Sequence, residues 1–308
     1  MIHLIVNANA RVGKNKRVST VLTELLTAYR KKFTLYEVHR EGETKELCRQ
    51  ISSKPGEKTI WVAGGDGTAS EAINGLHVDD TLHFAFLPAG SGNDLARGIG
   101  LPISLEKAAE EILFAGREEA FDYGEMELHP GGKVCFAGSS GMGYDAKVCV
   151  EVNASGLKKR LNKIGLGKLA YFLVAVKQVF VNPRFQVTVT ADDGASRTFS
   201  DCIFLCMMNH KYEGGGLKMA PTADPTDGKI TVTLAYGMRP LRVLFALPKI
   251  KSGRDVKMKN VETFDCSKLD VITDRKQYVH TDGEVVAEVR HLTVRVADRK
   301  LRMAVGQE

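Results

Sequence analysis

The sequence predicts an α/β N-terminal domain with a doubly wound parallel sheet, followed by a mostly antiparallel β-sandwich C-terminal domain. Over the first 120 or so residues, short apolar runs alternate with segments of helical period, which is typical of a parallel sheet. Beyond Phe121 most segments read as strands, and Asp-Gly turns separate several of them. A length of 308 residues with 44% hydrophobic side chains suffices for two cores. We therefore predict domains at 1–122 and 123–297, with about 298–308 packing back on the first.

The elements of the first domain follow from apolar periodicity and from breakers. Val18, Leu22 and Leu26 lie on one face of a predicted helix, and Pro55 ends the next helix. The predicted strands are 2–6, 33–39, 59–63 and 83–87, and the predicted helices are 18–32, 44–53, 69–76, 94–97 and 105–115.

The second domain is predicted as strands with one helical insertion at about 157–181. Its turns include Asp193-Gly194, Asp227-Gly228 and Asp282-Gly283. The predicted strands are 133–138, 185–191, 203–208, 229–235, 268–273, 277–280, 285–289 and 292–297.

Composition excludes several classes of protein. Lys and Arg number 43 against 37 Asp and Glu, and the net charge of +6 fits an anionic ligand or an anionic membrane surface. With this modest charge and no recognised module, we expect no nucleic-acid partner. No apolar run approaches ~18 residues, so no transmembrane helix is predicted. The six cysteines form no C-x-x-C pair, which argues against a zinc knuckle or a disulfide framework. The start of the chain reads as a strand rather than a signal peptide, so we expect a reducing cytoplasm.

Two glycine loops follow consecutive predicted strands. Gly64-Gly65-Asp66-Gly67-Thr68 joins a buried strand to a helix, where glycines and free N–H groups suit a phosphate. A carboxylate such as Asp66 in such a loop suggests an intervening Mg²⁺, although a tight turn with Asp66 as N-cap explains the letters too. The second loop runs over 88–97 and includes Ser91, Asn93 and Asp94. Since ends of successive parallel strands open on one side of the sheet, both loops are expected to face one crevice.

Familiar nucleotide fingerprints are absent. Gly13-Lys14 resembles the end of a P-loop, but Asn15 replaces the Ser or Thr. The run from Gly141 to Ala146 fits a loose G-x-G-x-x-A but lies in the β-rich half, so we do not interpret it as a dinucleotide site.

Acidic turns in the second half offer further chemistry. Asp224 and Asp227 could ligate a hard cation with help from backbone carbonyls, or form a plain Asp-Gly turn. Thr281-Asp282-Gly283-Glu284 reads as a type I′ hairpin, and an acid at its tip can serve as a general base if the loop faces the crevice.

At these residues the sequence resembles the diacylglycerol kinase catalytic-domain family, soluble bacterial lipid kinases related to sphingosine and ceramide kinases. The matching pieces occur in family order and span nearly the whole chain. They are Gly64–Thr68 with Glu71 and Asn74, 88–94, Asn209 with 214–216, Ala220-Pro221, Asp227-Gly228 and Asp282-Gly-Glu284.

The resemblance implies ATP-dependent transfer of a phosphoryl group to a lipid hydroxyl, with diacylglycerol as the family's default acceptor and Mg²⁺ as the metal. Asp66 and Asp94 would join a magnesium–water network, and Glu284, or Asp282 beside it, would accept the proton. A second magnesium would lie at Asp224, Asp227 and the backbone of Lys229. The residues implied to bind ATP are Asn7, Ala8, Asn9, Ala10, Arg11, Gly64, Gly65, Asp66, Gly67, Thr68, Ala69, Ser70, Ser91 and Asn93.

The first turn, from Asn7 to Arg11, departs from the family pattern, since Ala8 stands in place of Pro and Arg11 in place of Gly. Arg11 could reach a phosphate directly. A family Thr that touches the nucleotide is replaced by Glu41.

The helical insertion suggests contact with a membrane. Basic residues precede its apolar stretch, which suits an anionic bilayer, although a core helix with a solvated basic end explains it equally. These basic residues are Lys158, Lys159, Arg160, Lys163 and Lys168. We expect a peripheral protein at the inner face of the membrane, possible homodimerisation through sheet edges, and a lipid substrate. The alternatives are NAD kinase, which shares G-G-D-G-T, and a nucleotide-binding protein without catalysis.

Overall fold

A computed structural model describes residues 1–12, 16–154, 167–243 and 259–306. The six strands of the first sheet are β1 Ile2–Asn7, β4 Phe33–Val38, β5 Lys58–Gly64, β6 Leu82–Pro88, β7 Glu118–Phe121 and β19 Leu301–Ala304. They lie in the order β4-β1-β5-β6-β19-β7, and all are parallel except β7. Its helices are α1 Val18–Ala28, α2 Glu43–Ser52, α3 Asp66–Ile73, α4 Asp94–Gly98 and α5 Leu105–Ala115. Two short strands, β2 Arg11–Val12 and β3 Lys16–Arg17, pair with each other.

Each central strand of this sheet is buried on both faces, because helices cover the two sides. Leu4, Ile60 and Phe84 lie on neighbouring strands and share one core. This explains why the strands read as continuous apolar runs rather than as alternating ones. The predicted first helix extended to residue 32, but α1 ends at Ala28 because Arg30 adopts a positive φ of 52° and turns the chain toward β4.

The second sheet has nine antiparallel strands, and the fold class predicted for both halves is confirmed. Its strands are β8 Gly124–His129, β9 Lys133–Phe136, β10 Ser139–Gly143, β11 Phe185–Ala191, β12 Arg197–Met208, β15 Ile230–Tyr236, β16 Val261–Cys266, β17 Lys268–Thr281 and β18 Glu284–Val296. The short strands β13 Tyr212–Glu213 and β14 Leu217–Lys218 form a separate hairpin. Side chains from strands far apart in the sheet share one core, so the sheet curls over itself as a sandwich does.

A helical excursion interrupts this sheet. Strands β10 and β11 each pair with β12 on one side and with β17 on the other, at different positions along those two long strands. The chain between β10 and β11 includes the helices α6 Tyr144–Ala154 and α7 Gly167–Val181. The helical region therefore begins at Tyr144, earlier than the predicted 157. The sequence did not reveal α6, because apolar and polar residues are spread around it.

Direct contacts join the two halves. Asn74, directly after α3, donates to the carbonyl of Cys135 on β9 and accepts its N–H, both at 2.8 Å. β19, at the end of the described chain, lies between β6 and β7 of the first sheet. These contacts fix the glycine loops of the first sheet relative to the hairpins of the second. Within the described ranges, no helix is long and apolar enough to cross a membrane.

Candidate functional site

The two glycine loops contact each other at the carboxyl edge of the parallel sheet. The N–H of Ala89 donates to the carbonyl of Gly64 at 2.7 Å. A Cβ on Gly90 would lie 2.5 Å from the Cα of Gly65, so only a glycine allows this approach. The glycines therefore serve the packing of one loop on the other, in addition to any ligand contact.

Asp66 fastens the two loops together. Its Oδ2 accepts the N–H of Asn93 at 2.8 Å, and its Oδ1 accepts the N–H of Asp94 at 2.7 Å. Asn93 has a positive φ of 56° and closes its own loop through two hydrogen bonds with Gly90. Asp66 and Asn93 thus hold the two loops in place. The sequence did not predict this structural role for either residue.

The rest of the predicted ATP-binding set is divided between buried and accessible positions. Gly65, Asp66 and Gly67 are partly exposed and Ser91 is exposed, whereas the side chains from Thr68 to Ser70 are buried. Asn7 at the end of β1 donates to the hydroxyl of Thr68 at 3.3 Å, which joins the first turn to the glycine loop. Asn7 also accepts the N–H of Asn9. The side chain of Arg11 lies outside the described part of the structure.

The β17–β18 hairpin is fastened by a second aspartate. Asp282 accepts three backbone N–H groups, from Ala137 at 3.0 Å, Gly138 at 2.8 Å and Ser139 at 3.0 Å. Asp282 and Gly283 both have positive φ, as the predicted type I′ turn requires. Burial raises the pKa of Asp282 to about 6, against the three N–H groups, which favour the charged carboxylate.

Glu284 lies at the tip of the β17–β18 hairpin, next to the glycine loop of the first domain. Its side chain is exposed, and its Oε1 lies 3.3 Å from the position that a Cβ on Gly67 would occupy. The start of α3 and the hairpin tip therefore face each other, at the edge of the sheet where the crevice is predicted. Of the two acids at this tip, Asp282 is engaged with backbone N–H groups and Glu284 faces the glycine loop.

Asp94 connects the second glycine loop to a third. Its Oδ2 accepts the N–H of Gly215 at 2.7 Å, and its buried Oδ1 has no hydrogen-bond partner. Burial raises the pKa of Asp94, and the charge of Asp66 adds to this increase. Gly214, Gly215 and Gly216 all have positive φ, which accounts for the run of three glycines.

Two protein-family models together match most of the chain. Residues 1–126 match the model described as "Diacylglycerol kinase catalytic domain", and residues 138–305 match "YegS C-terminal NAD kinase beta sandwich-like domain". The chain belongs to the diacylglycerol kinase family. It is therefore a kinase-type enzyme, as the motifs from Gly64 to Glu284 predicted.

Similar proteins match most of the chain. The Bacillus subtilis (strain 168) protein named "Putative lipid kinase YtlR" is 28% identical over 288 residues, 92% of each chain. A "Diacylglycerol kinase" of Mycobacterium tuberculosis (strain ATCC 25618 / H37Rv) is 29% identical over 212 residues, 68% of this chain and 64% of its own. The solved structure of a "putative diacylglycerol kinase" from Bacillus anthracis str. Sterne has a TM-score of 0.77 at 20% identity, covering 99% of this chain and 96% of its own.

The fold also resembles that of NAD kinases. The structure of an NAD kinase from Archaeoglobus fulgidus in complex with ATP has a TM-score of 0.54 at 13% identity, covering 100% of this chain and 94% of its own. At this identity the likeness concerns the fold alone.

The two predicted magnesium positions differ in how well their residues suit a cation. At the loop pair, the unpartnered Oδ1 of Asp94 fits a cation or its water ligand. At the second turn, Asp224 accepts the N–H and hydroxyl of Thr226, and Asp227 accepts the N–H of Lys229. The ammonium of Lys300 also binds this turn, through the carbonyl of Thr226 at 2.7 Å. These hydrogen bonds hold the turn without a metal, and a magnesium there stays a prediction.

The sequence did not reveal a cluster of ionisable side chains beside the hairpin. Nε2 of His280 lies 3.2 Å from Oδ2 of Asp145 and 3.3 Å from Oε1 of Glu213. The three residues are at least 67 positions apart along the chain, so no local spacing relates them. The one available signal was the run from Gly141 to Ala146, which contains Asp145.

Buried His210 was also missed. Its ring lies between Gly98 on α4 and Gly138, where a Cβ on either glycine would lie within 2.7 Å of ring atoms. Burial lowers the pKa of His210 to about 4, so the ring is neutral at the junction of the two halves.

Proposed function

We propose that the chain is an ATP-dependent lipid kinase that transfers the γ-phosphate to a lipid hydroxyl, with diacylglycerol as acceptor and phosphatidic acid as product. The observation that carries the proposal is the position of Glu284 against Gly67. A carboxylate of the second domain faces the glycine loop of the first, as transfer between a nucleotide and a separately bound acceptor requires.

The roles follow from what each residue contacts. We assign the ATP phosphates to the partly exposed residues Gly65 to Gly67 at the start of α3, and to the exposed Ser91 of the second glycine loop. Asp94, through its unpartnered oxygen, would hold Mg²⁺ or its water, and the ion would neutralise charge on the β- and γ-phosphates.

Glu284 is assigned as the base that takes the proton of the acceptor hydroxyl as the new P–O bond forms. Asp282 is assigned a different role, since its carboxylate accepts three N–H groups and so holds the turn.

The test is a magnesium/ATP assay with labelled γ-phosphate and separate acceptors. The panel contains diacylglycerol, monoacylglycerol, sphingosine, ceramide, phosphatidylglycerol and NAD. We expect label in the organic phase with diacylglycerol. Label transferred to NAD would favour the NAD kinase that the fold resembles, and transfer to no acceptor, with ATP bound, would favour a binding protein without catalysis.

We also propose that α7 contacts an anionic membrane surface. In its described part, Leu173 and Phe180 are 50% and 55% exposed, while Val174 and Val179 are buried. The basic residues from Lys158 to Lys163 lie outside the described residues. Flotation with anionic vesicles tests the contact, and Leu173→Ser with Phe180→Ser should reduce the bound fraction, as should reversal of the five basic charges. Unchanged flotation of both variants would show that α7 is an ordinary surface helix.

A further inference from the structure

The histidine below the hairpin tip is bound on both ring nitrogens. His280 is 1% exposed on β17, three residues before Gly283. Its Nδ1 accepts the N–H of Gly283 at 3.3 Å. Its Nε2 faces Oδ2 of Asp145 at 3.2 Å and Oε1 of Glu213 at 3.3 Å. The ring therefore links two carboxylates to the peptide group that precedes Glu284.

These contacts define the tautomer. A backbone N–H directed at Nδ1 needs a lone pair there, so the ring proton is on Nε2, where the carboxylates accept it. Burial lowers the pKa of His280, but the hydrogen bond and charge of Asp145 and the charge of Glu213 outweigh burial and raise it. Burial also raises the pKa of Glu213 to about 7. The raised pKa of His280, about 9, would by itself favour a charged ring at neutral pH, but the N–H of Gly283 needs a lone pair on Nδ1. Since His280 and Glu213 titrate as a pair, this geometry assigns the extra proton to Glu213 rather than to Nδ1.

The same contacts argue against a metal at this cluster. The three groups carry ligand atoms within reach of one ion. A metal on Nε2 would need the lone pair of that nitrogen and would leave the proton on Nδ1. That proton would point at the N–H of Gly283, so the two donors would oppose each other. The cluster is built to orient the ring.

Other groups pack closely around the His280 ring and Asp145. A Cβ on Gly141 would lie 1.9 Å from Oδ2 of Asp145 and 2.8 Å from Nε2 of His280, so residue 141 has to be glycine. The thiol of Cys206 donates to Oδ2 of Asp145, and the N–H of Ala146 donates to its Oδ1. Asp282 is the other charged group that acts on the ring. The close packing against Asp145 and His280 accounts for Gly141, which lies in the glycine run outside the predicted ATP site.

We propose that His280 is a positioning residue that fixes the peptide group of Gly283, and thereby places Glu284 against the glycine loop. Asp145 and Glu213 hold the ring in the Nε2–H tautomer. This inference rests on the proposed function, since it concerns the base of the same site. Asp282 holds the turn from one side and His280 holds it from the other.

Paired substitutions separate positioning from folding. His280→Gln removes the acceptor for the N–H of Gly283, and we expect kcat with diacylglycerol to fall about 10–100-fold, because small misplacements of a catalytic group have effects of this size. KM for ATP should stay unchanged, since the loops of the first domain are untouched. His280→Asn keeps an acceptor at the position of Nδ1 and should recover kcat to within a few-fold of wild type.

The matched control is His291→Asn. His291 pairs with Asp270 at 2.8 Å on the same sheet, away from the hairpin tip, and its loss should leave kcat unchanged. A wild-type kcat in His280→Gln, or equal losses in His280→Gln and His280→Asn at equal thermal stability, would overturn the proposal.

A measurement on the wild-type protein does not depend on any variant folding. Two-bond ¹H–¹⁵N spectra of protein with ¹⁵N-labelled histidine should show His280 as the Nε2–H tautomer at pH 7, with the same signals after Zn²⁺ is added. A proton on Nδ1, or loss of the signals on binding Zn²⁺, would refute the assignment. If wild type phosphorylates no lipid, the proposed function fails, while this spectrum still tests the contact between His280 and Gly283.

Discussion

The glycine loop of the first domain and the hairpin tip of the second use an aspartate in the same way but in different backbones. Asp66 accepts two N–H groups of the neighbouring loop, and Asp282 accepts three. Asp66 begins a helix, whereas Asp282 lies in a turn with positive φ. In both places the aspartate holds the backbone, and a nearby residue, Gly67 or Glu284, faces the crevice.

Two acids in one motif can have different roles, and the surroundings of each carboxylate decide which one can act on a substrate. Asp282 and Glu284 are two positions apart, and each carries a carboxyl group. Their surroundings differ, because N–H groups take up the carboxylate of Asp282 while that of Glu284 reaches the other domain. The following predictions test this division of roles.

Two glycine substitutions should separate loop packing from the crevice. Gly90→Ala places a Cβ 2.5 Å from the backbone of Gly65, so we expect a loss of several kcal/mol in the free energy of unfolding. Gly67→Ala places its Cβ 3.3 Å from Oε1 of Glu284 and within a helix. It should lower kcat about tenfold through displacement of that carboxylate, with near wild-type stability. Denaturant titration and kinetics check both. Equal stabilities in the two variants would contradict the division between packing and crevice residues.

The junction between the domains should be sensitive to acid through His210. Its pKa is near 4 in the folded protein and 6.5 when exposed, so the unfolded chain binds the extra proton between these values. Stability should therefore fall as the pH drops from about 6.5 to about 4, by at most about 3 kcal/mol. His210→Gln should flatten this dependence in unfolding measured across the window. The same slope in wild type and variant would show that His210 does not cause it.

The hydrogen bonds between Asn74 and Cys135 should make a smaller contribution. Asn74→Ala removes both, and we expect a loss of about 1–3 kcal/mol in the free energy of unfolding. Asn74→Asp keeps the acceptor and loses the donor, so denaturant unfolding should place it between wild type and Asn74→Ala. If both variants were as stable as wild type, these hydrogen bonds would not hold the domains together.

Local sequence predicted four strands of the first sheet, β1, β4, β5 and β6, and the convergence of its loops, because strand ends of a parallel sheet share one edge. It missed α6 and several strands, because their apolar patterns are too weak or too short to stand out. In the two large sheets the missed strands are β7, β8, β10, β16 and β19. It also missed that Asp66 and Asp282 bind backbone N–H groups. Those partners lie 27 or more residues away, and only the folded chain brings them together.

The central claim is that Glu284 acts on the acceptor while the first domain holds ATP. Phosphoryl transfer to diacylglycerol and ATP affinity should be measured together in wild type, Glu284→Gln and Glu288→Gln, the last an exposed acid on the same strand. We predict that Glu284→Gln lowers kcat about 10²–10⁴-fold with unchanged ATP affinity, and that Glu288→Gln behaves as wild type. Wild-type transfer by Glu284→Gln would contradict the account.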